Sequence, residues 1–528
     1  MIRIEEVTLE LNDDEEILKS KISQILGLPE KEIIKYNIVK KNIDSRQKRN
    51  ILFVYSLDVE VEDPEAIKSW DGRHRVRKHE PFVYQEKIIN KEIDKKIVVV
   101  GSGPCGLFTT LLLAKAGLKP LMIERGKNID SRVEDVESFT QDGNFNPKSN
   151  IQFGEGGAGT FSDGKLYTLI NDPRSKYIFS ELVKAGAPEE IAWSGTPHIG
   201  TDKLRQVIKN IRKKIIKLGG EIRFETCLTD LEIEKDKVVA IVLNGEEKIL
   251  VDDLILATGH SARDTYQMLY DRKLKMEAKA FSIGLRIEHQ AEMINKSQYG
   301  IFYNHPKLGT AKYKLVQHSD NNRSVYTFCM CPGGFVMAAT SEEGSVVTNG
   351  MSKYYQDEKN SNSALLVPVM PSDFSSDHPL AGIEFQREWE RKAYLAGGSN
   401  YSAPAQLVGD FLNKQASKQV KSVKPSYLPG VKLTSLDSCL PDYVIESIRE
   451  ALPLMDRKIR GFAHPEAILT GVETRSSSPV RLERDEKCES NISGVYPAGE
   501  GAGYAGGIVS SAIDGLTVAE VIIDKYSK

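Results

Sequence analysis

Cysteine is scarce in this chain: six residues in 528, at positions 105, 227, 329, 331, 439 and 488. Such a thin scatter cannot cross-link a chain of this length, and reduced thiols in a cytoplasmic location are expected. There is no CxxC and no HExxH, and only nine histidines, so no metal site is expected. An excess of one charge is also missing, with 71 basic against 74 acidic residues. That balance speaks against DNA, RNA or an anionic membrane surface as partner. No apolar run approaches the roughly 20 residues of a membrane helix, so membrane insertion is not expected. The opening MIRIEEVTLELNDDEE is acidic and lacks the basic-then-apolar layout of a secretion signal. What remains is a chain long enough for two or three domains with a large buried core.

The first 62 residues read as a small α+β module of order βαββ. Residues 2–11 alternate like a strand, and 13–26 carry Ile17, Ile22 and Ile25 at helical spacing. Residues 32–39 and 51–61 read as two further strands. The polar turn between them, Asp44-Ser45-Arg46-Gln47-Lys48-Arg49, suits a solvated hairpin tip or contact with an anion or RNA. Residues 63–94 are charge-rich (KSWDGRHRVRKHE) and are expected to serve as a linker or strap. Residues 350–430, rich in Ser, Asn, Gln and Tyr, are expected to form loops and short elements.

At Lys96 the pattern turns abruptly apolar, and residues 95–126 read KKIVVVGSGPCGLFTTLLLAKAGLKPLMIERG. The run 97–100 suits a strand buried on both faces. Gly101 makes a tight turn, Gly103 (followed by Pro104) lets a pyrophosphate approach the backbone, and Gly106 lets helix and strand pack closely. An apolar helix follows over 107–116, and a second strand over 120–123 ends in Glu124, with Arg125 beside it. Glu124 lies 23 positions beyond Gly101, where an acid can accept hydrogen bonds from ribose hydroxyls. Strand, glycine turn, helix, second strand and terminal acid together specify a dinucleotide site. The other literal GxGxxG, Gly154 to Gly159, is followed by Thr-Phe-Ser-Asp-Gly and not by an apolar helix. No separate nicotinamide domain is therefore expected.

Two later segments add to this site. VDDLILATG at 251–259 closes on Ala-Thr-Gly, and GVYPAGEGAGYAGGIVSSAIDGL at 494–516 runs from a strand through Gly-Glu into a glycine turn and a helix. The three segments together resemble the FAD-binding domain of the two-dinucleotide-fold flavoproteins. That resemblance implies FAD as cofactor, with Thr258 and Gly259 near the flavin nucleotide and Cys227 and Leu228 near the adenine. It places Gly499 and Glu500 on the ribitol or pyrophosphate side, with Glu where Asp is more usual. Gly506, Gly507 and Ile508 would aim a helix N-terminus at the flavin, which favours the negative charge of its reduced form. It also implies that the loop FGEGGAGTFSDGK at 153–165, with five glycines in 13 residues, touches the flavin or its pyrophosphate. The amides of Gly156 and Gly157, with Ser162 and Lys165, are the candidates there.

The expected architecture is α/β: a Rossmann-like FAD-binding domain built from 95–264 and 471–528. An inserted, mainly β substrate domain fills 265–470, with strands near 280–287, 313–316, 324–331 and 334–339. Its exit, GVETRSSSPV at 471–480, reads as a polar turn or as a substrate-positioning cluster with Arg475 as an anion fork. Within it lies TFCMCPGG at 327–334, where strand alternation puts Cys329 and Cys331 on one face and Met330 on the other. They read either as small strand residues ended by Pro-Gly-Gly or as a thiol at the flavin. In the second case Cys331 is favoured, as proton donor or substrate contact. A disulfide between them would be strained in an extended strand.

The set GSGPCG, NIQFGEGGAGTFSDGKL, TFCMCPGG, VETRSSSPV and YPAGEGAGYAGGIVSSAIDG resembles the bacterial group called uncharacterised FAD-dependent dehydrogenases. The resemblance covers about residues 90–528 and the small N-terminal module. It implies an FAD-dependent oxidoreductase that exchanges a hydride between flavin N5 and a small organic substrate. NAD(P)H is a candidate electron donor, visiting the same face without a domain of its own. Two alternatives share the nucleotide fold: an RNA-modifying flavoprotein, which would carry a basic-aromatic stripe, and a lipid or isoprenoid reductase, which would need a long apolar tunnel.

Overall fold

The computed structural model describes residues 1–64, 67, 74–168, 170–320 and 322–528. Ile97–Val100, buried throughout, forms the middle of a five-stranded parallel sheet. On one side stand Asp253–Leu256 and then Val495–Pro497; on the other, Leu121–Ile123 and then Glu221–Arg223. A parallel sheet needs helices on its faces, and its strands read as continuous apolar runs for that reason. The helix Pro104–Lys115 buries ten of its 12 residues because the C-terminal helix Ile508–Ser527 lies across it. The two backbones meet at Gly515, where a Cβ would sit 2.5 Å from the Cys105 carbonyl oxygen. Cys105 is a packing residue at this crossing, and burial pushes its thiol pKa up.

The second large sheet has seven strands, in the order Val316–His318, Ser324–Cys331, Asn360–Val369, Phe281–Gln290, Ile468–Glu473, Ala403–Leu407 and Val431–Leu433. All pairs are antiparallel except the last. The third strand and the helix Ala381–Ala396 correct the expectation of loops over 350–430. The strand reads NSNSALLVPV, and its polar half hides it from any hydrophobic pattern. Those polar side chains are buried and paired: Asn360 donates to Glu288 (3.0 Å), Asn362 accepts from Arg286 (2.6 Å), and Ser363 accepts from Tyr313 (3.0 Å). The expected strand at 313–316 begins later, as Val316–His318.

In the N-terminal module the strands run in the order Ile33–Asp44, Leu52–Val61, Ile2–Glu10, Arg75–Lys78. The fourth comes from the segment expected to be a linker, and pairs antiparallel with Ile2–Glu10. Its charged, mostly exposed side chains suit an edge strand, where charge discourages pairing with another chain. The module's apolar core is continuous with that of the seven-stranded sheet. Its basic turn also touches the larger body, since a Cβ on Gly300 would meet Lys48 Cβ at 3.2 Å. Among the described residues no helix is long and apolar enough to cross a membrane.

Candidate functional site

Three glycine segments converge at the carboxyl ends of the central parallel strands, where open α/β sheets place their ligands. Gly101, at φ 102°, and Gly106 are closed in: a Cβ would lie 2.6 Å from the Ala257 carbonyl oxygen at the first and 1.9 Å from the Gly101 carbonyl oxygen at the second. Gly103 differs. A Cβ there would find nothing nearer than Gly157 Cα at 3.9 Å. Gly259 and Gly506 have nothing within 4 Å of such an atom, and Gly507 only Ser510 Oγ at 3.9 Å. The segments also touch one another. A Cβ on Gly157 would meet Gly103 Cα at 2.9 Å, one on Gly159 would meet Ile508 at 3.3 Å, and one on Gly501 would meet the Thr258 carbonyl oxygen at 1.8 Å.

The helices Pro104–Lys115 and Ile508–Ser527 both start at this cleft, and neither N-cap, Gly103 or Gly507, carries a side-chain cap. Two uncapped N-termini beside open glycines offer free backbone N–H groups to an anion. This fits the pyrophosphate of a dinucleotide.

Glu124 is buried at the end of the second strand, but its partners are not the ribose hydroxyls the spacing suggested. Its Oε2 accepts from Ser102 N (2.9 Å) and Ser102 Oγ (2.8 Å), and its Oε1 from Gly126 N and Gly154 N (both 3.0 Å). Four donors fill a carboxylate, so Glu124 ties the first glycine turn to the 153–165 loop. Arg125 beside it pairs with Asp264 at 2.9 Å and lies over the Phe153 ring at 4.5 Å. Cys227 and Leu228 follow Thr226, whose N–H donates to the Glu124 carbonyl at 2.8 Å, so they stand next to this strand end. Burial raises the Cys227 thiol pKa, against the pull of Arg125.

The glycine loop owes its shape to Arg132, which the sequence reading passed over. The guanidinium is fully buried and donates to the carbonyls of Asn150 (2.8 Å), Ile151 (2.8 Å), Glu155 (2.6 Å) and Gly157 (3.0 Å). Gly154 sits against it, for a Cβ there would fall 2.3 Å from Arg132 Cδ. Ile129, Arg132, Val136 and Phe139 are the buried residues of one helix stripe, so an arginine at an apolar register position was the signal. The Gly156 amide donates to the Ser102 carbonyl (3.0 Å), and the Gly157 amide to the Gly154 carbonyl (2.9 Å), so neither is free for a ligand. Ser162 closes the loop on itself, donating to the Gly159 carbonyl at 2.7 Å. Lys165, at its end, reaches Cys329 and Cys331 of the seven-stranded sheet, at 3.8 and 3.9 Å from their sulfurs.

Glu500 lies beside Thr258–Gly259 with 29% of its side chain exposed, 4.0 Å from His260 Nε2. Burial pushes its pKa up to about 7, with Lys279 pulling the other way. A carboxyl held above its usual 4.5 binds a proton in the folded chain that the unfolded chain has released. Its contribution to stability is therefore full below about pH 4.5 and lost as pH rises through 7. Thermal melts of flavin-stripped protein should show this fall, and Glu500→Gln should flatten it. Equal slopes for both proteins would rule the assignment out.

The structure corrects the reading of Arg475 as an anion fork. Its side chain is 2% exposed. It pairs with Glu390 through Nε (2.9 Å) and Nη2 (2.8 Å) and spends Nη1 on Ser261 (3.0 Å) and Ser341. Arg263 grips the same carboxylate from the other side, at 2.8 and 2.9 Å. Burial alone would raise the Glu390 pKa, but the two guanidiniums hold it well below the usual range. This triad joins the helix Ala381–Ala396 to the strand exit, and Arg475 has no arm left for substrate. Glu390→Gln should destabilise the protein by about 3 kcal/mol, because it leaves the buried Arg475 without a counter-ion and Arg263 with Glu342 alone. Urea unfolding measures this, and a change under about 1 kcal/mol would contradict it.

Sheet, glycine turns and paired helix N-termini define a flavoprotein-type dinucleotide fold, and the comparisons with known proteins carry the assignment further. Residues 94–132 match a family model described as an FAD binding domain, and residues 280–476 one described as FAD-dependent protein, C-terminal domain-like. Residues 1–60 match a domain of unknown function. A protein of Clostridium beijerinckii, named only as uncharacterized, is 48% identical over 535 residues, covering 99% of each chain. Among solved structures, the flavin-dependent brominase Bmp2, in a triple-mutant form, is 12% identical over 82% of this chain and 80% of its own, with a TM-score of 0.38. The glycerol-3-phosphate dehydrogenase from Bacillus halodurans complexed with FAD is 11% identical over 82% and 64%, with a TM-score of 0.36. The chain belongs to this family of FAD-dependent proteins, and its cofactor is FAD.

Proposed function

We propose that the protein is an oxidoreductase that exchanges a hydride between FAD and a small organic substrate. The substrate would be held between the glycine loop and the seven-stranded sheet. Bound FAD supplies the two-electron chemistry, and the polypeptide orients, desolvates and charges the site. Gly103, Gly507 and Ile508 would hold the pyrophosphate side through backbone N–H groups. Pro104, which has none, opens the first helix, and Gly506, whose N–H donates to Ser510 Oγ at 3.2 Å, shapes the turn. Thr258, Gly259, Gly499 and Glu500 would line the path toward the ring. The observation that carries the reading is the reach of Lys165 from the cofactor loop to the sheet strand Ser324–Cys331. It supports one continuous site in which a cation and two thiols face the same space. Lys165 is 17% exposed on its side chain, and its pKa is raised: burial works against the charge, but Cys329, Cys331 and Asp163 outweigh it. A fixed cation of this kind suits a substrate carrying a carboxylate or carbonyl oxygen.

The test is an anaerobic screen of small metabolites, with NADH and NADPH included, for bleaching of the bound flavin. At least one organic donor should reduce it within seconds. Reduction by dithionite and by no organic compound would count against the proposal.

A further inference from the structure

The Lys165–cysteine cluster carries more chemistry than substrate contact requires. Beyond the two approaches to Lys165 Nζ, the Cys331 thiol donates to the Cys329 carbonyl at 3.3 Å. They face one side, but not through plain strand alternation. Between Phe328 and Cys331 the pairing with Asn360–Val369 slips by one residue, and Cys329 adopts a φ of 42°. That left-handed conformation is uncommon for any residue but glycine.

The surroundings hold it in place. Arg286, fully buried, donates to the Cys329 carbonyl at 3.3 and 3.5 Å while Glu473 (2.6 Å) and Asn362 (2.6 Å) fix its guanidinium. Gly334 makes room behind Cys331, where a Cβ would come within 3.2 Å of Cys331 Cβ. A strained residue that is over-determined by its neighbours marks a functional position. The charge distribution agrees. The neighbouring Cys331 side chain, with Lys165 and Arg286 close by, holds Cys329 toward the thiolate, while Cys331, beside it and buried, keeps its proton. Cys105, Cys227, Cys439 and Cys488 show the opposite pattern, each thiol pushed up by burial.

We propose that Cys329 and Cys331 form a redox-active dithiol that exchanges two electrons with the bound FAD. This rests on the reading that the flavin ring lies at this strand. In the oxidising direction the Cys329 thiolate and the Cys331 thiol form an S–S bond. Their two electrons and the Cys331 proton pass to FAD, which becomes the singly protonated, anionic reduced cofactor. Charge balances, since one negative charge leaves the sulfur pair and one appears on the flavin. Lys165 stays protonated and faces that charge in either state. The reverse step reopens the disulfide and restores oxidised FAD.

The test is an anaerobic titration of the oxidised, FAD-loaded protein with dithionite. Wild type should take up four electrons per FAD, and Cys331→Ser two. Two electrons in wild type would overturn the proposal. A second measurement needs no variant: after mild oxidation with diamide and alkylation, the wild-type peptide holding residues 329–331 should be lighter by two hydrogen atoms and carry no alkyl group. Alkylation of both cysteines in protein that holds FAD would overturn the dithiol and leave the flavin site untouched. A bridged peptide with a two-electron titration would overturn the exchange and show that the ring lies elsewhere.

Discussion

Alanine at Gly103 is expected to weaken FAD binding about tenfold or more while leaving the protein folded. The position has φ −69° and ψ −178°, which any residue adopts, and a Cβ there touches no protein atom within 3.9 Å. The added methyl occupies only the space above the helix N-terminus. Stability without flavin should stay within about 1 kcal/mol of wild type, the usual cost of placing alanine at an N-cap. FAD affinity should fall roughly tenfold or more, since displacing a pyrophosphate from its N–H donors by even 1.4 kcal/mol has that effect. Gly106→Ala is the contrast, with its Cβ 1.9 Å from a backbone oxygen that cannot move away. It should fail to fold. Flavin absorbance of the purified proteins, with thermal melts, separates the two outcomes. Wild-type FAD affinity in Gly103→Ala, titrated after the flavin is stripped, would refute the placement of the pyrophosphate.

Arg132→Met should cost about 4 kcal/mol of stability, together with the flavin. Four loop carbonyls lose their donor at once, and each buried polar group left unpaired carries about 1–3 kcal/mol. The side chain is nearly volume-conserving, so the loss is one of hydrogen bonds and not of packing. Burial brings the Arg132 pKa down to about 10. Urea unfolding and FAD content are the readouts. A variant with wild-type stability would show that the loop holds its own shape.

The cofactor end of the molecule was legible because its signals are local. Ile97–Val100, the three glycines and the following helix lie within 20 residues, and each glycine has one steric task. The misreadings arose where a partner lies far along the chain. Arg475 looked free, but Glu390, 85 residues earlier on another element, had claimed it. Glu124 fitted the ribose spacing, yet Gly154, 30 residues on, fills one of its oxygens. Asn360–Val369 was missed because a strand can be buried with polar residues when neighbours such as Arg286 and Glu288 satisfy them. Arg286 itself was readable, as a charge inside the apolar run AFSIGLRI that demands a buried counter-ion. The cysteines were expected to share a face by alternation. They do face one way, but through a bulge and a left-handed residue that period-two reasoning cannot foresee.

The decisive measurement is a structure of the protein with FAD bound. The pyrophosphate should lie over Gly103 and the Gly506–Gly507 turn, between the two helix N-termini, with the flavin ring facing Lys165 and Cys329. A dinucleotide seated away from these glycines, or a ring turned from the Ser324–Cys331 strand, would contradict this placement.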